Sequence, residues 1–376
     1  MQLLIKWEKK LSNLIEPRNG ISKINRYKGG KGSTLEGVIK LSSNESALGP
    51  SESAVLAFNK AGSSLSIYPD GNSTVLKNKL SELYDIESSN IICGAGSDEI
   101  LNLIANAYLR PGDEVIYSEH AFLLYKIITL ANDAIPVPAK EIGLKTNIKN
   151  IISAVTKKTK IVFIANPNNP TGSYLTRDEL VKLRDGLPEE VLLVIDGAYA
   201  EYVQEDDYTD GMDMIANNVN TVMTRTFSKV YGLAALRIGW AYCPMHIIEV
   251  LNKIRGPFNL STASILAGTA ALSDQEHVVR SVQFNIEEKK ILVEKYKELG
   301  IDVIDGVANF ILLNFSSISD IEYENLRDFL ISKKVYLRDV ADYGLPQHLR
   351  LSIGSKENNR VAIDKIAEFF KKKSNG

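Results

Sequence analysis

From about Ser51 the chain alternates between short, continuous apolar runs and stretches with helical spacing. Asn90-Ile91-Ile92-Cys93 is one such run, closed by Gly94-Ala95-Gly96. Ile100, Leu101, Leu103, Ile104, Ala107 and Tyr108 follow at helical spacing, and Arg110-Pro111-Gly112-Asp113 stops that helix. Further strands are predicted over 114–117, 160–165, 191–195 and 221–225. Runs that are apolar at nearly every position, separated by helices, predict a largely parallel sheet covered on both faces. Ligands of such sheets sit at the carboxyl edge of the strands. Gly94–Asp98, Asn169, Asp196 and Ser228/Lys229 each come after a run, so they are expected to converge on one crevice.

Past Pro257 the pattern changes. Residues 262–299 read as a long helical stretch, followed by short strands at 301–304, 310–315 and 349–353 and an amphipathic helix over 360–373. This is an α+β pattern. Residues 17–50 are rich in Gly, Ser, Asn and Lys and read as irregular. The expected organisation is an N-terminal arm with part of a small domain over 1–50, a large domain over 51–260 and a smaller C-terminal domain over 261–376.

Charge narrows the range of functions. Lys and Arg number 44 against 46 Asp and Glu, a formal charge of −2. That balance argues against a dedicated nucleic-acid or anionic-membrane surface. The four histidines and two cysteines show no metal-ligand spacing, so no metal site is expected. The first residues are charged throughout, without a long apolar core, and two cysteines cannot staple a chain of this size. A cytoplasmic protein without a membrane anchor is expected.

Only 13 of the basic residues are arginines, so an Arg inside a motif is informative. Gly94-Ala95-Gly96-Ser97-Asp98-Glu99 places a glycine turn at a helix start, where free N–H groups and the dipole favour one phosphate. Glu99 stands at the third glycine of the dinucleotide fingerprint, which argues against that use. Pro170 and Gly172 hold Asn169 in a tight turn. Asp196 emerges from a dry strand, with Tyr199 close behind, and a buried carboxylate needs a cationic or donor partner. Thr226-Phe227-Ser228-Lys229, followed by Arg237, offers phosphate donors beside a potential amine nucleophile. Taken singly, each of these also fits an ordinary cap, turn or solvated loop.

Seven motifs carry a resemblance: K-L-S-S-N-E-S-A-L-G-P (Lys40–Pro50), I-Y-P-D-G (Ile67–Gly71), C-G-A-G-S-D-E (Cys93–Glu99), N-P-N-N-P-T-G (Asn166–Gly172), D-G-A-Y (Asp196–Tyr199), S-K-V-Y-G-L-A-A-L-R-I-G (Ser228–Gly239) and L-R-L-S-I-G (Leu349–Gly354). In them the chain resembles the fold-type I pyridoxal-phosphate (PLP) aminotransferases, and most closely the histidinol-phosphate aminotransferases. The resemblance implies an α/β fold, with a large, mostly parallel-sheet domain and a smaller α+β domain, in a homodimer. It implies that Lys229 forms the Schiff base with PLP and that Asp196 pairs with the pyridinium nitrogen. Tyr199 and Asn169 are implied at the ring O3′, and Phe122 against the ring face. Ser97, Asp98 through its backbone N–H, Thr226, Ser228 and Arg237 are implied at the phosphate, with Tyr68 reaching the phosphate of the neighbouring subunit's cofactor. Arg350 is implied to bind the acidic group of the substrate, with Arg338, Tyr27 and Asn169 at the same end.

Two segments depart from the family pattern. Tyr27-Lys28-Gly29-Gly30-Lys31 lacks the family's proline, and Asn44-Glu45-Ser46-Ala47 stands where the family carries N-E-N-P. The activity implied is transamination of histidinol phosphate with 2-oxoglutarate, through a PLP/pyridoxamine phosphate ping-pong cycle in histidine biosynthesis. The alternative is an aromatic amino-acid aminotransferase acting on phenylalanine or tyrosine, or an enzyme doing both. Either way the ligands are small molecules, with no nucleic-acid or membrane partner.

Overall fold

The continuous apolar runs come together in one seven-stranded sheet in a computed structural model, which describes residues 15–26 and 37–374. The chain first forms β1 (Ile39–Leu41), α1 (Glu52–Lys60), α2 (Thr74–Tyr84), β2 (Ile91–Gly94), α3 (Ser97–Tyr108), β3 (Glu114–Ser118), α4 (Leu123–Ala131) and β4 (Ile135–Ala139). It continues through α5 (Ile148–Ser153), β5 (Thr159–Ala165), α6 (Arg177–Gly186), β6 (Leu192–Asp196), β7 (Thr221–Thr226), β8 (Gly239–Tyr242) and α7 (Met245–Ile254). The last part holds α8 (Thr262–Ser273), α9 (Gln275–Glu298), β9 (Asp302–Asp305), β10 (Phe310–Asn314), α10 (Asp320–Ser332), β11 (Val335–Asp339), β12 (His348–Ser352) and α11 (Lys356–Ser374).

The large sheet has the order β2-β8-β7-β6-β5-β3-β4. β8 pairs antiparallel with both of its neighbours, and the remaining neighbours pair in parallel. The carboxyl ends of β2, β3, β5, β6 and β7 and the amino end of β8 therefore share one edge. Both faces of the sheet are dry. Ile161 and Phe163 of β5 pack with Val194 and Val222 beneath α3 and α4, while Val162 and Ile164 pack with Leu193 and Ile195 against α5 and α6. A strand with two buried faces reads as an unbroken apolar run, which is why these strands were visible in the sequence. β4 and β8 were not. β4 reads Ile-Pro-Val-Pro-Ala, and its two prolines are accommodated because it lies at the sheet edge. β8 is four residues long and begins on a glycine.

The smaller sheet has the order β1-β11-β12-β10-β9, parallel at β1/β11 and antiparallel elsewhere. Leu41, Ile311, Leu313, Leu349 and Leu351 face a core shared with α10, α11 and the end of α9. The boundary expected at 260/261 does not follow this packing. In α8, Ile265, Ala267, Ala271 and Leu272 join the large-sheet cluster around Leu76, Phe227 and Trp240. α9 starts on that cluster with Val282 and ends in the small-sheet core with Leu292 and Tyr296. The change of pattern at Pro257 thus precedes α8, which stays on the large-sheet cluster, and α9, which reaches from it to the small-sheet core.

Among the described residues no helix is long and apolar enough to cross a membrane, and no group of three or more His, Cys, Asp or Glu side chains could hold a metal ion. Cys93 and Cys243 are free and buried, and burial pushes the Cys93 thiol up to about 12.

Candidate active site

A cavity of about 330 Å³ lies between the carboxyl edge of the large sheet and the polar face of the small one, roomy enough for a cofactor-sized ligand. Its floor near α3 is built to hold an anion. Gly96 has φ +82°, so the chain turns sharply from β2 into α3 and leaves the first N–H groups of that helix facing the cavity edge. Thr226 Oγ1, at the end of β7, donates to Ser228 Oγ at 3.1 Å. Arg237 donates to Ser228 Oγ at 3.4 Å and to Asp98 Oδ2 at 3.0 Å. Its φ of +51° is unusual for a residue with a Cβ and marks a backbone held by its surroundings. Ser97, Asp98, Thr226, Ser228 and Arg237 all line the cavity. A helix start, two hydroxyls and a guanidinium converging on one spot make a phosphate cradle.

The cradle depends on a close approach of β8. A Cβ on Gly239 would lie 2.1 Å from the Ser97 backbone nitrogen. Gly239→Ala must therefore push the α3 turn away from Thr226 and Ser228. It is expected to weaken retention of a phosphate-bearing cofactor by about tenfold or more, since one charge-assisted hydrogen bond is worth about 1.5–3 kcal/mol. Equilibrium dialysis checks this, and unchanged retention would show that the turn yields freely.

At the centre, Asp196 is buried at the end of β6. Tyr125 Oη donates to its Oδ2 at 2.9 Å, and Thr224 Oγ1 donates to its Oδ1 at 3.1 Å. Tyr125 is fixed in turn by stacking on Phe163 at 4.8 Å and by an edge contact with Phe122 at 5.8 Å. These hydroxyls and the Ala198 backbone N–H are all neutral donors. Burial pushes the carboxyl up to about 6, opposed by the Tyr125 hydrogen bond and reinforced by the Asp98 charge. A carboxylate in this setting lacks only a cation on its cavity side. Lys229 opens onto the same cavity, donating to Ser43 O at 3.3 Å and lying 5.6 Å from the Tyr199 ring centroid. Burial, followed by the Arg350 charge, pushes its amine down to about 8.

The third region is the anion end. Arg350 is buried on β12, with Nη1 donating to Asn169 Oδ1 and Nη2 to Ser42 O at 3.0 Å. Its guanidinium carbon lies 5.2 Å from the Phe310 ring centroid. Arg338 on β11 stands opposite Arg350 in the register. Asn169 sits in a turn between two cis X-Pro bonds, Asn166-Pro167 and Asn169-Pro170. Tyr199 Oη accepts from Asn44 Nδ2 at 2.8 Å.

The structure thus gathers Ser97, Asp98, Phe122, Asn169, Asp196 and Tyr199 with Thr226, Ser228, Lys229, Arg237, Arg338 and Arg350. Tyr68 lies elsewhere. It is 79% exposed and stacks on Phe258 at 4.7 Å, in a groove away from this cavity. Tyr27 lies outside the described residues. Sequence reasoning missed Tyr125 and Thr224, which hold Asp196, and it left Asn44 without a role. Tyr125 stands one helical turn beyond Phe122, and Thr224 one strand repeat before Thr226. Those spacings are the signals that could have found them.

Residues 36–366 match the family model for Aminotransferase class I and II. A histidinol-phosphate aminotransferase of Rhodopseudomonas palustris (strain TIE-1) is 45% identical over 357 residues, covering 94% of this chain and 98% of the relative. The crystal structure of histidinol-phosphate aminotransferase from Sinorhizobium meliloti, in complex with pyridoxal-5'-phosphate, is similar with a TM-score of 0.83 at 25% identity, covering 88% of this chain and 90% of that one. Aspartate aminotransferase from Thermus thermophilus with maleate shares the fold, with a TM-score of 0.77 at 22% identity over 88% of this chain and 91% of that one. With an ion cradle, a buried carboxylate and an amine at one sheet edge, and with matches over nearly its whole length, the chain belongs to the class I and II aminotransferase family, beside the histidinol-phosphate aminotransferases.

Proposed function

We propose that this enzyme is a PLP-dependent transaminase that passes the amino group of histidinol phosphate to 2-oxoglutarate, in a PLP/pyridoxamine phosphate ping-pong cycle serving histidine biosynthesis in the cytoplasm. One observation carries the reading: a buried carboxylate with only neutral donors shares a cavity with a lysine amine, a phosphate cradle and a buried arginine. The donor set fits the cofactor. Asp196 has room for a ring-nitrogen cation, the cradle suits its phosphate, and Phe122 offers a ring face. Tyr199 and Asn169 supply polar atoms for O3′. When bound, PLP supplies an electron sink for the pair released as a substrate Cα–H bond breaks.

The chain's own residues do the rest. Asp196 keeps a proton on the ring nitrogen, because a cation beside it restores the charge that burial disfavours. Lys229, whose amine burial and the Arg350 charge push down to about 8 in the cofactor-free protein, is the group placed to take the Cα proton and hand it on. Arg350 presents a planar fork to an acidic group. Glutamate offers a carboxylate there and histidinol phosphate a phosphate, so one guanidinium serves both half-reactions, with Arg338 adding charge. The deciding experiment is kcat/KM on histidinol phosphate, phenylalanine and tyrosine with 2-oxoglutarate as acceptor. Histidinol phosphate is expected to be preferred. Turnover of the aromatic amino acids alone would overturn the reading in favour of an aromatic aminotransferase.

The same reading makes the enzyme a homodimer, with Tyr68 at the phosphate of the partner's cofactor. Supporting it, Leu65, Ile67 and Tyr68 are 84%, 69% and 79% exposed, beside Phe258 at 44%. Such an apolar patch is rarely left open to water. Sedimentation of the active enzyme is expected to give a dimer, and Tyr68→Phe to loosen the cofactor. A fully active monomer would contradict both.

A further inference from the structure

One ion pair in the cavity has no part in the chemistry above. Lys40 Nζ lies 2.6 Å from Glu45 Oε1, and both side chains line the cavity. The strand register says which wall Lys40 belongs to. β1 runs parallel to β11 with Lys40 opposite Tyr336. Arg338, two residues beyond Tyr336, returns to the same face and stands opposite Arg350 on β12. Leu41, Leu349 and Leu351, the residues of opposite phase, are buried in the small-sheet core. Lys40, Arg338 and Arg350 therefore project from one face of one sheet into one cavity.

Glu45 is placed there by its neighbour. Asn44 adopts φ +55°, its backbone N–H donates to Ser352 Oγ at 2.8 Å, and its carbonyl accepts from Asn309 Nδ2 at 3.1 Å. This pinned left-handed turn sets Glu45 at the mouth of the cavity, with its side chain 46% exposed against 21% for Lys40. Ion pairs that face water are weak, so the ammonium is free to change partners when an anion arrives.

We propose that Lys40 and Glu45 together set how strongly this wall favours a dianion over a monoanion. Lys40 is a third cation for a phosphate dianion bound at Arg350 and Arg338. Glu45 competes for Lys40 and offsets its charge when a single carboxylate occupies the wall. The inference rests on histidinol phosphate being a substrate, because only then does one site meet both kinds of anion. Coulomb energy scales with the ligand charge, so losing Lys40 costs a dianion about twice what it costs a monoanion at the same distance.

The test compares kcat/KM for histidinol phosphate with that for glutamate at pH 8, where a phosphate monoester is dianionic. Lys40→Met is expected to lower the histidinol phosphate-to-glutamate ratio by about tenfold. Glu45→Gln, which releases Lys40, is expected to raise the same ratio by about threefold. Opposite signs from the two members of one pair support the proposal, because loss of local structure would move the ratio the same way in both variants. An unchanged ratio, or two shifts of the same sign, overturns this inference alone. A wild-type holoenzyme inert towards histidinol phosphate overturns the substrate reading, and this inference falls with it.

Discussion

Lys229→Ala is expected to lower turnover by about 10⁴-fold or more, the upper end of what a positioned proton-transfer group contributes. Among the described residues no neighbouring side chain stands ready to replace it. Lys40, the other amine lining the cavity, belongs to the opposite wall and is paired with Glu45. Borohydride treatment of the wild-type holoenzyme is expected to fix the mass of the cofactor to the peptide containing residue 229, and to leave that peptide unchanged in the variant. Activity within tenfold of wild type in Lys229→Ala would place the reactive amine elsewhere. The lowered basicity gives a second readout that needs no turnover. Amine reagents attack only the uncharged form, and the folded protein holds the Lys229 amine at about 8 where an ordinary lysine stands at 10.5. In cofactor-free protein, labelling of Lys229 is expected to rise through about pH 8, ahead of exposed lysines. A labelling profile matching that of exposed lysines would mean that neither burial nor Arg350 acts on it as the structure indicates.

How much of this was legible in the sequence depends on the range of each interaction. Asp196 was visible because five apolar residues precede it, and a strand buried on both faces leaves little doubt about where its last residue emerges. The glycine turn before Ser97 and the Lys229 segment announce themselves in the same local way. What holds Asp196 in place was not visible. Tyr125 is fully buried and stacked on Phe163, so its spacing is that of a core aromatic, and its hydroxyl partner lies 71 positions away. Thr224 reads as one more β-branched strand residue, and only the β6/β7 register sets it beside Asp196. The charged cluster behind it is equally silent. Arg225, adjacent to Thr224, is buried and paired with Glu201 at 2.9 Å and Asp210 at 3.1 Å, contacts made by the fold and not by spacing. The fold-level misses have the same origin. β4 carries prolines that only an edge position tolerates, and α8 joins a core whose other members include residues of α1, α2, the large sheet and the start of α9.

Asp196→Asn is expected to move activity and stability in opposite directions. In the cofactor-free protein, burial holds this carboxyl at about 6 against 3.8 for the free side chain. A raised folded-state value means that the folded protein takes up the proton more readily than the unfolded chain. The penalty for ionising Asp196 is therefore absent below about pH 4, grows as the pH rises through about 6, and is complete at neutral pH. A displacement of that size corresponds to about 2–3 kcal/mol. Asn carries no charge and can still accept from Tyr125, so the cofactor-free variant is expected to be more stable than wild type by about 2 kcal/mol at pH 7, with the difference closing towards pH 4. Denaturant unfolding of both proteins across that range checks it. The holoenzyme should behave in the reverse sense. There, on the proposed reading, the ionised carboxylate would face a ring cation, and its loss is expected to cut turnover by about 10³-fold, as when a preorganised charge is removed from a water-excluded site. Equal stability of the two cofactor-free proteins at pH 7 would mean that Tyr125 and Thr224 already satisfy the charge. Equal turnover would mean that the ring nitrogen needs no counterion here. Finding both effects would identify Asp196 as a residue kept against the stability of the empty protein because the bound ring requires it.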